Sequence, residues 1–434
     1  MGAEVKGRVV AGAGCRDLGV GRHALREIWT AAIASVLASA LPAFAVREIA
    51  TEENIADLLA TPMLSLEEAE EAAKQRQWAI LPEIGYDPES GGDAGLKFTH
   101  RNIAGTGATL DVEATYARNS QESLAAVFGT PHLFGDRFLT LLEADYYYDP
   151  SQKFFGLGNN DIGPDPASTQ AYERYEGTLT AGWRPRPDLA LDVTFGVRHL
   201  RIGRGQRDNG FPFTVDAFPD LAGVGGGFVS PFGASLVWTT RDDVLQPTRG
   251  WRVILKATHT DRAVLSDFEF TRLDGDIGYL IPLVPSGRHV LGVRLNGGLI
   301  AGPPHDVPFW ELEALGGDDT FRGFFPHRFL GSQRMFVNTE YRFPIAGFNF
   351  FHLWYVDVGG AVFGDSGRVF MSPSQLESDF GLGSSSASHL VSTFQYDYGL
   401  GIRFAVARAI LARVEVGFSE EEKGLVYLAF GQAF

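Results

Sequence analysis

Apolar residues recur at every second position in many segments of this 434-residue chain, and this pattern constrains the fold more than any other feature. In residues 291–299, leucine and valine alternate with glycine, arginine and asparagine, and residues 189–198 and 413–418 repeat the alternation. Successive side chains of a β-strand point to opposite faces, so each segment has one apolar and one polar face. The sequence therefore predicts an all-β fold.

Sixteen such segments follow residue 79, and an even number of strands suits a closed antiparallel barrel. The predicted strands are 80–87, 94–103, 107–117, 122–129, 136–148, 170–184, 188–201, 228–241, 249–260, 267–282, 287–301, 333–345, 349–363, 393–406, 409–419 and 423–434.

The connections between these strands alternate in length, which is typical of an outer-membrane barrel with short periplasmic turns and long extracellular loops. Lipid cannot satisfy a free backbone amide, so a sheet in a membrane has to close, with its apolar face towards lipid and its polar face towards the lumen. We therefore predict a 16-stranded antiparallel transmembrane β-barrel over residues 79–434. From periodicity alone, a soluble sandwich or propeller with the opposite facing remains the alternative. The short connections are 104–106, 185–187, 285–287, 346–348 and 407–408, and the long ones include 149–169, 202–227, 302–332 and 364–392.

The first 45 residues have the features of a secretory signal peptide. Basic residues precede an apolar stretch at 29–41, and Ala43 and Ala45 supply the small residues read at a cleavage site. The alternative is an N-terminal helix that anchors the chain, although the stretch is short for a bilayer. Cys15, the only cysteine, lies in this segment, so the mature chain is expected to lack disulfides and thiolate sites. Residues 46–78 are predicted to form a short periplasmic arm with one helix at 65–77.

Charge and motif content exclude several classes of function. The formal net charge of -16 makes the chain a poor partner for nucleic acid. Its ten histidines are scattered and form no metal-binding spacing. The sequence has no Gly-x-Ser-x-Gly elbow, and no Lys-Ser/Thr pair follows its glycine-rich loop as a phosphate site would require. We therefore predict no metal, no cofactor and no catalytic residues, and hence a protein that is not an enzyme.

Three segments carry more specific information. A long loop contains Gly316 and Gly317 followed by Arg322-Gly323-Phe324, the next strand contains Glu340, and the strand after that contains Asp357. In these segments the chain resembles the BamA/TamA-like superfamily of outer-membrane assembly and translocation barrels, also called the bacterial surface antigen family. The resemblance runs from Trp78 to Phe434 and includes Phe430 and Phe434 as the C-terminal strand signal.

The resemblance implies that the loop folds back into the lumen and that Arg322 meets acids at Glu340 and Asp357. The residues themselves favour part of this arrangement. Arg322 is always charged, so in a narrow lumen it needs a carboxylate to offset desolvation, and Glu340 lies on the polar face of its strand. The alternative is a solvated Arg322 whose exposed pairs contribute little. Gly316, Gly317 and Gly323 suit a chain that doubles back through a crowded space.

The function that the resemblance implies is insertion or translocation of proteins or lipids at the bacterial outer membrane, through a weak seam between the first and last strands. Outer-membrane lipids are the expected surroundings, and unfolded outer-membrane proteins or a separate periplasmic protein are the expected partners. The 33 residues of the arm are too few for even one periplasmic POTRA domain, so the chain resembles a barrel-only branch of the family. A passive porin-like channel and a surface-exposed adhesin or antigen remain as alternatives.

Overall fold

The structure is a computed structural model of the chain. It describes residues 78–130, 137–159, 165–206, 210–243, 246–303, 305–350, 354–371, 394–406 and 410–430. The predicted signal peptide, residues 46–77 of the predicted arm with its helix, and Phe434 lie outside these residues, whereas Trp78 at the end of the predicted arm belongs to the first strand.

Nineteen β-strands account for most of the described chain, and the alternating segments of the sequence form them. Within the described residues, helical structure is confined to α1 (Thr214–Ala217) and a 3-10 turn (Phe309–Glu311). The strands are β1 (Trp78–Asp87), β2 (Gly91–Ile103), β3 (Ala108–Ala117), β4 (Glu122–Thr130), β5 (Phe138–Phe154), β6 (Ser168–Arg186), β7 (Leu189–Gly203), β8 (Gly226–Val229), β9 (Phe232–Thr239), β10 (Gly250–Thr260), β11 (Phe270–Pro282), β12 (Val290–Ala301), β13 (Glu313–Leu315), β14 (Phe329–Gly331), β15 (Gln333–Phe350), β16 (Trp354–Phe370), β17 (Gln395–Val406), β18 (Ile410–Phe418) and β19 (Leu425–Phe430).

The strands form a closed antiparallel barrel in which successive strands of the wall pair, β12 pairs with β15, and β19 returns to β1. Seventeen strands belong to this sheet, but β8 and β9 both pair with β7 and share one position in the wall, so the barrel has sixteen positions. The predicted all-β, 16-stranded antiparallel barrel is confirmed. β13 and β14 pair with each other in a separate two-stranded sheet, and Leu330 of β14 also forms a β-bridge with Gly158.

Two local predictions of the sequence differ from the structure. The predicted strand 228–241 is interrupted between β8 and β9 at Ser230 and Pro231, because proline has no amide hydrogen to donate to the ladder. The predicted turn at 346–348 lies inside β15, whose register with β16 shifts between Pro344 and Ala346. This β-bulge inserts an extra residue without ending the strand.

The two faces of the wall differ as the alternation predicts. On β12, Leu295 is 46% exposed and points outward, whereas Arg294 beside it is 1% exposed and points into the lumen. The apolar outer surface suits contact with acyl chains, and the polar set lines an enclosed interior. Within the described residues, no helix is long and apolar enough to cross a membrane. Other large apolar side chains on the outer face include Ile80, Ile84, Leu96, Leu142, Val193 and Leu400.

An apolar cluster lies at the end of the barrel that carries the long loops. Phe154 of β5, Leu200 of β7 and Phe309 of the 3-10 turn are all buried within it. Phe154 meets Phe309 edge to face, with ring centroids 5.2 Å apart. This cluster holds the long connection between β12 and β15 against the wall and so positions the segment described next.

Candidate functional site: a plug in the barrel lumen

The connection between β12 and β15, residues 302–332, enters the lumen, and we call it the plug. Its hairpin of β13 and β14 carries the turn 316–328 at its tip. Gly316 and Gly317 have φ values of 117° and 99°, a region that side-chain-bearing residues rarely adopt. These two glycines let the chain reverse directly after β13.

An apolar cluster fixes the tip of the plug to one side of the barrel. Phe321, Phe324 and Phe329 of the plug are fully buried together with Phe336 of β15 and Val369 of β16. The rings of Phe324 and Phe329 pack edge to face with centroids 5.1 Å apart, a favourable aromatic geometry. The plug therefore packs against the β15–β16 wall.

Arg322 lies at the centre of the plug with 1% of its surface exposed. Its Nε and Nη2 donate to Asp365 Oδ2 and Oδ1 over 3.0 and 2.9 Å, and its Nη1 donates to Glu340 Oε2 over 2.8 Å. The guanidinium also lies 3.5 Å from the ring centroid of Phe363. These charge-assisted bonds offset the desolvation of a buried cation, which unpaired would be strongly unfavourable.

The acids around Arg322 are shared with further arginines of the wall. Glu340 Oε1 accepts from Arg342 Nε over 2.6 Å and from Arg403. Glu415 on β18 accepts from Arg413 over 2.7 Å and lies 3.5 Å from Arg322. The result is a buried network of alternating charges, in which removal of one member leaves its partners uncompensated.

A second arm of this network reaches the turn of the plug itself. Arg413 of β18 lies 3.0 Å from Asp318, a residue of the turn 316–328. Asn338 of β15 donates to the carbonyl of Thr320 over 2.7 Å. The plug is thus held by ionic and neutral bonds from β15, β16 and β18.

The structure brings together most of the site residues that the sequence suggests. Arg322 and Glu340 are in contact, Gly316 and Gly317 form the reversal, and Phe324 packs in the apolar cluster. The amide of Gly323 donates to Asp397 over 2.9 Å. A Cβ at Gly323 would lie 2.9 Å from the carbonyl carbon of Phe418, which only glycine avoids. Phe430 faces outward with 42% of its surface exposed.

Asp357, in contrast, does not reach Arg322. It is exposed and pairs across from Gly347, near the turn end of β16. Asp365 takes its place on the same strand, eight residues or about 26 Å further along at the usual strand rise. The plug enters from the opposite end and does not extend that far down the strand, so the prediction that Arg322 meets Asp357 is wrong.

Three acids of the site are missing from the sequence prediction: Asp365, Asp397 and Glu415. Each is at least 96% buried on an inward-facing position of β16, β17 or β18. Strand alternation gives their facing, but a pairing with Arg322 depends on how deep the plug descends. The alternation of apolar and polar residues along a strand does not show how far the plug extends into the lumen.

A cavity of about 220 Å³ lies beside the plug, between it and the walls of β5, β6 and β11. The side chains that line this cavity include Tyr172, Arg272, Asp274, Glu313 and Arg334.

Within the described part of the chain, no group of three or more histidines, cysteines or acids could hold a metal ion.

Within the part of the chain that the structure describes, the seam between β1 and β19 has fewer register pairs than any other junction of neighbouring strands in the wall. Among the described residues, Tyr86 and Leu428 form the single register pair between β1 and β19, whereas β1 and β2 share ten. A strand with few ladder bonds separates from its neighbour more easily than one with many.

Comparisons with known proteins agree with this architecture. A sequence model described as the Omp85 superfamily domain matches residues 102–434. No curated protein matches the sequence significantly.

Two solved structures are similar in fold. BamA from Haemophilus ducreyi, in a crystal structure lacking POTRA domains 1–3, has a TM-score of 0.59 and 14% identity, with 82% of this chain and 70% of that chain covered. CdiB from Escherichia coli has a TM-score of 0.53 and 12% identity, with 81% of this chain and 63% of that chain covered. At such identities the likeness concerns the fold.

Proposed function

The chain belongs to the Omp85 superfamily, as an integral outer-membrane barrel of the insertase and translocator class, and on that premise we propose how it works. The plug keeps the lumen closed, and substrate passes into the membrane where β1 and β19 meet. The substrate is a protein or a lipid. This action needs no catalytic step, because it depends on where the wall opens and on what the plug blocks.

The observation that carries this proposal is the contrast between two junctions of the same strand. Among the described residues, β1 is joined to β2 by ten register pairs and to β19 by one. Each lost pair removes backbone hydrogen bonds that lipid cannot replace, so the seam is the part of the wall that opens at the smallest cost in free energy. A substrate strand that adds to a free edge would satisfy those groups again.

The proposal is tested by reconstitution. Purified chain in liposomes is mixed with an unfolded outer-membrane β-barrel protein, and membrane insertion is followed by protease protection. We expect faster insertion than in liposomes without the chain. Equal insertion rates with and without the chain, together with unchanged levels of outer-membrane barrel proteins in cells depleted of it, would contradict an insertase. Translocation would then be measured with the same liposomes.

We also propose that residues 1–45 direct export and that residues 46–78 lie in the periplasm, where a separate partner delivers substrate. The support is the basic n-region, the apolar stretch 29–41 and the small residues Ala43 and Ala45. N-terminal sequencing of the protein isolated from membranes tests cleavage after Ala45. Retention of the first 45 residues would count against it.

A further inference from the structure

A second buried arginine ties the plug to another part of the barrel. Arg328, at 1% exposure, donates from Nε and Nη2 to Glu421 Oε2 and Oε1 over 2.7 and 2.6 Å. Its guanidinium lies 5.3 Å from the ring centroid of Phe155 and 4.8 Å from that of Phe329. Two parallel hydrogen bonds between planar groups fix orientation as well as distance.

Glu421 belongs to the connection between β18 and β19. We call these two strands and their connection, residues 410–430, the last hairpin. Ser419 of this connection donates its hydroxyl to the carbonyl of Gly323 over 2.7 Å, and Tyr427 of β19 donates to the carbonyl of Phe324 over 3.1 Å. The plug thus bonds to both strands of the hairpin and to the loop between them.

The backbones of the plug and the last hairpin also touch directly. A Cβ at Gly417 of β18 would overlap the carbonyl of Arg322. Contact this close leaves no room for sliding, so a displacement of either partner is transmitted to the other. β19, the outer strand of this hairpin, forms one side of the seam.

We infer that Arg328 is a positioning residue that makes the plug and the last hairpin one mechanical unit, so that movement of the plug opens the seam from the β19 side. One side of the seam is clamped to the plug through Glu421, Ser419 and Tyr427, while the register pair of Tyr86 and Leu428 joins it to β1. This inference rests on the proposed function in taking the seam as the exit, and it adds the element that controls the exit.

The test measures the seam without substrate. Nitroxide labels are placed at Tyr86→Cys and Leu428→Cys in a chain carrying Cys15→Ser, and spin–spin broadening reports whether the two strands are adjacent. Release of the plug by Arg322→Ala should raise the separated fraction at least about fivefold, the lower end of coupling between linked sites. Adding Arg328→Ala should lower that fraction towards the parent value, because the plug loses its ionic clamp on the hairpin and keeps only the weaker bonds of Ser419 and Tyr427.

Two results would overturn the inference. One is unchanged broadening in Arg322→Ala, and the other is a double variant that stays as open as Arg322→Ala alone. The control is Arg204→Ala, which removes an exposed pair with Asp216 in another loop and should not reverse the opening. Folding of each variant is checked by its heat-dependent gel mobility.

Two further variants separate coupling from a merely structural role. Glu421→Gln weakens the same clamp with little change in side-chain volume and should reduce the opening as Arg328→Ala does. It takes the place of Arg328→Ala in the test if that variant does not fold. The exchange of charges in Arg328→Glu with Glu421→Arg should restore opening in the Arg322→Ala background. Since the spectra involve no substrate, a chain that shows this coupling but inserts nothing would contradict the proposed function alone, whereas insertion without coupling would contradict this inference alone.

Discussion

Arg322 of the plug and Asp365 of β16 form a two-point ion pair, with Nε to Oδ2 at 3.0 Å and Nη2 to Oδ1 at 2.9 Å. Both side chains are almost fully buried. A buried pair of this kind contributes less to stability than its geometry suggests, because desolvation opposes the Coulombic attraction, but breaking it leaves an uncompensated charge. The pair therefore makes the position of the plug specific.

Asp365→Asn should destabilise the barrel, whereas Asp357→Asn on the same strand should not. The first substitution removes the two-point partner of a buried cation and should lower the free energy of unfolding by about 3 to 5 kcal/mol. The second changes an exposed side chain and should stay within about 0.5 kcal/mol. Urea unfolding in lipid vesicles, followed by tryptophan fluorescence, measures both, and equal effects would argue against the assigned pairing.

Arg322→Ala should raise the ionic conductance of the barrel. The substitution removes the guanidinium that joins the plug to Asp365 and Glu340, so the plug should leave the lumen for part of the time. Arg322→Lys keeps the charge but not the planar fork and should give an intermediate effect. Planar-bilayer recording tests this, with Arg204→Ala as the exposed control. A conductance identical to that of the parent would show that the plug does not depend on Arg322.

The barrel is predictable from sequence because its determinants are local. Alternation along residues 291–299 indicates two faces, and the apolar residue Leu295 points outward as lipid requires. Strand number follows from counting such segments. The break at Pro231 and the bulge after Pro344 are less predictable, since each depends on whether a strand continues beyond a proline.

The site is predictable only in part because its partners are set by tertiary geometry. The inward facing of Glu340 follows from its position on β15, and its contact with Arg322 is implied by the family resemblance. The choice of Asp365 over Asp357 depends on the depth of the plug along β16, which residue spacing on the strand does not encode. The same holds for Arg328 and Glu421, which lie 93 residues apart in the chain.

Gly417→Ala should displace the plug. The added methyl group would overlap the carbonyl of Arg322, and overpacking of this kind typically costs about 1 to 3 kcal/mol. Gly278→Ala on β11 is the matched control, because a Cβ there meets no atom within 4 Å. Limited proteolysis of the plug in detergent, with peptides identified by mass spectrometry, should show cleavage in Gly417→Ala and protection in Gly278→Ala. Equal protection would mean that the backbones can separate without releasing the plug.

Glu89 should make stability depend on pH. This side chain lies in the turn between β1 and β2, where burial and then repulsion from Asp149 raise its pKa from 4.5 to about 8. Between these values the unfolded chain has lost the proton that the folded chain keeps, so the free energy of unfolding should fall as pH rises from 4.5 to 8. Glu89→Gln should flatten this dependence and Asp149→Asn should reduce it. Thermal unfolding midpoints across the range measure it, and an unaltered slope in Glu89→Gln would assign the dependence to other groups.

A disulfide across the seam should stop insertion, and a disulfide elsewhere in the wall should not. Tyr86 and Leu428 are register partners, so cysteines at these positions lie within the Cα distance that a disulfide bridges. The oxidised Tyr86→Cys, Leu428→Cys chain should lose insertion activity in liposomes and regain it with reductant, because only the locked state prevents β1 and β19 from parting. Leu96→Cys with Ala114→Cys, which joins β2 to β3, is the matched control and should remain active when oxidised. Full activity of the oxidised seam variant would place the exit elsewhere in the barrel, and loss of activity in both variants would mean that insertion needs deformation of the whole wall.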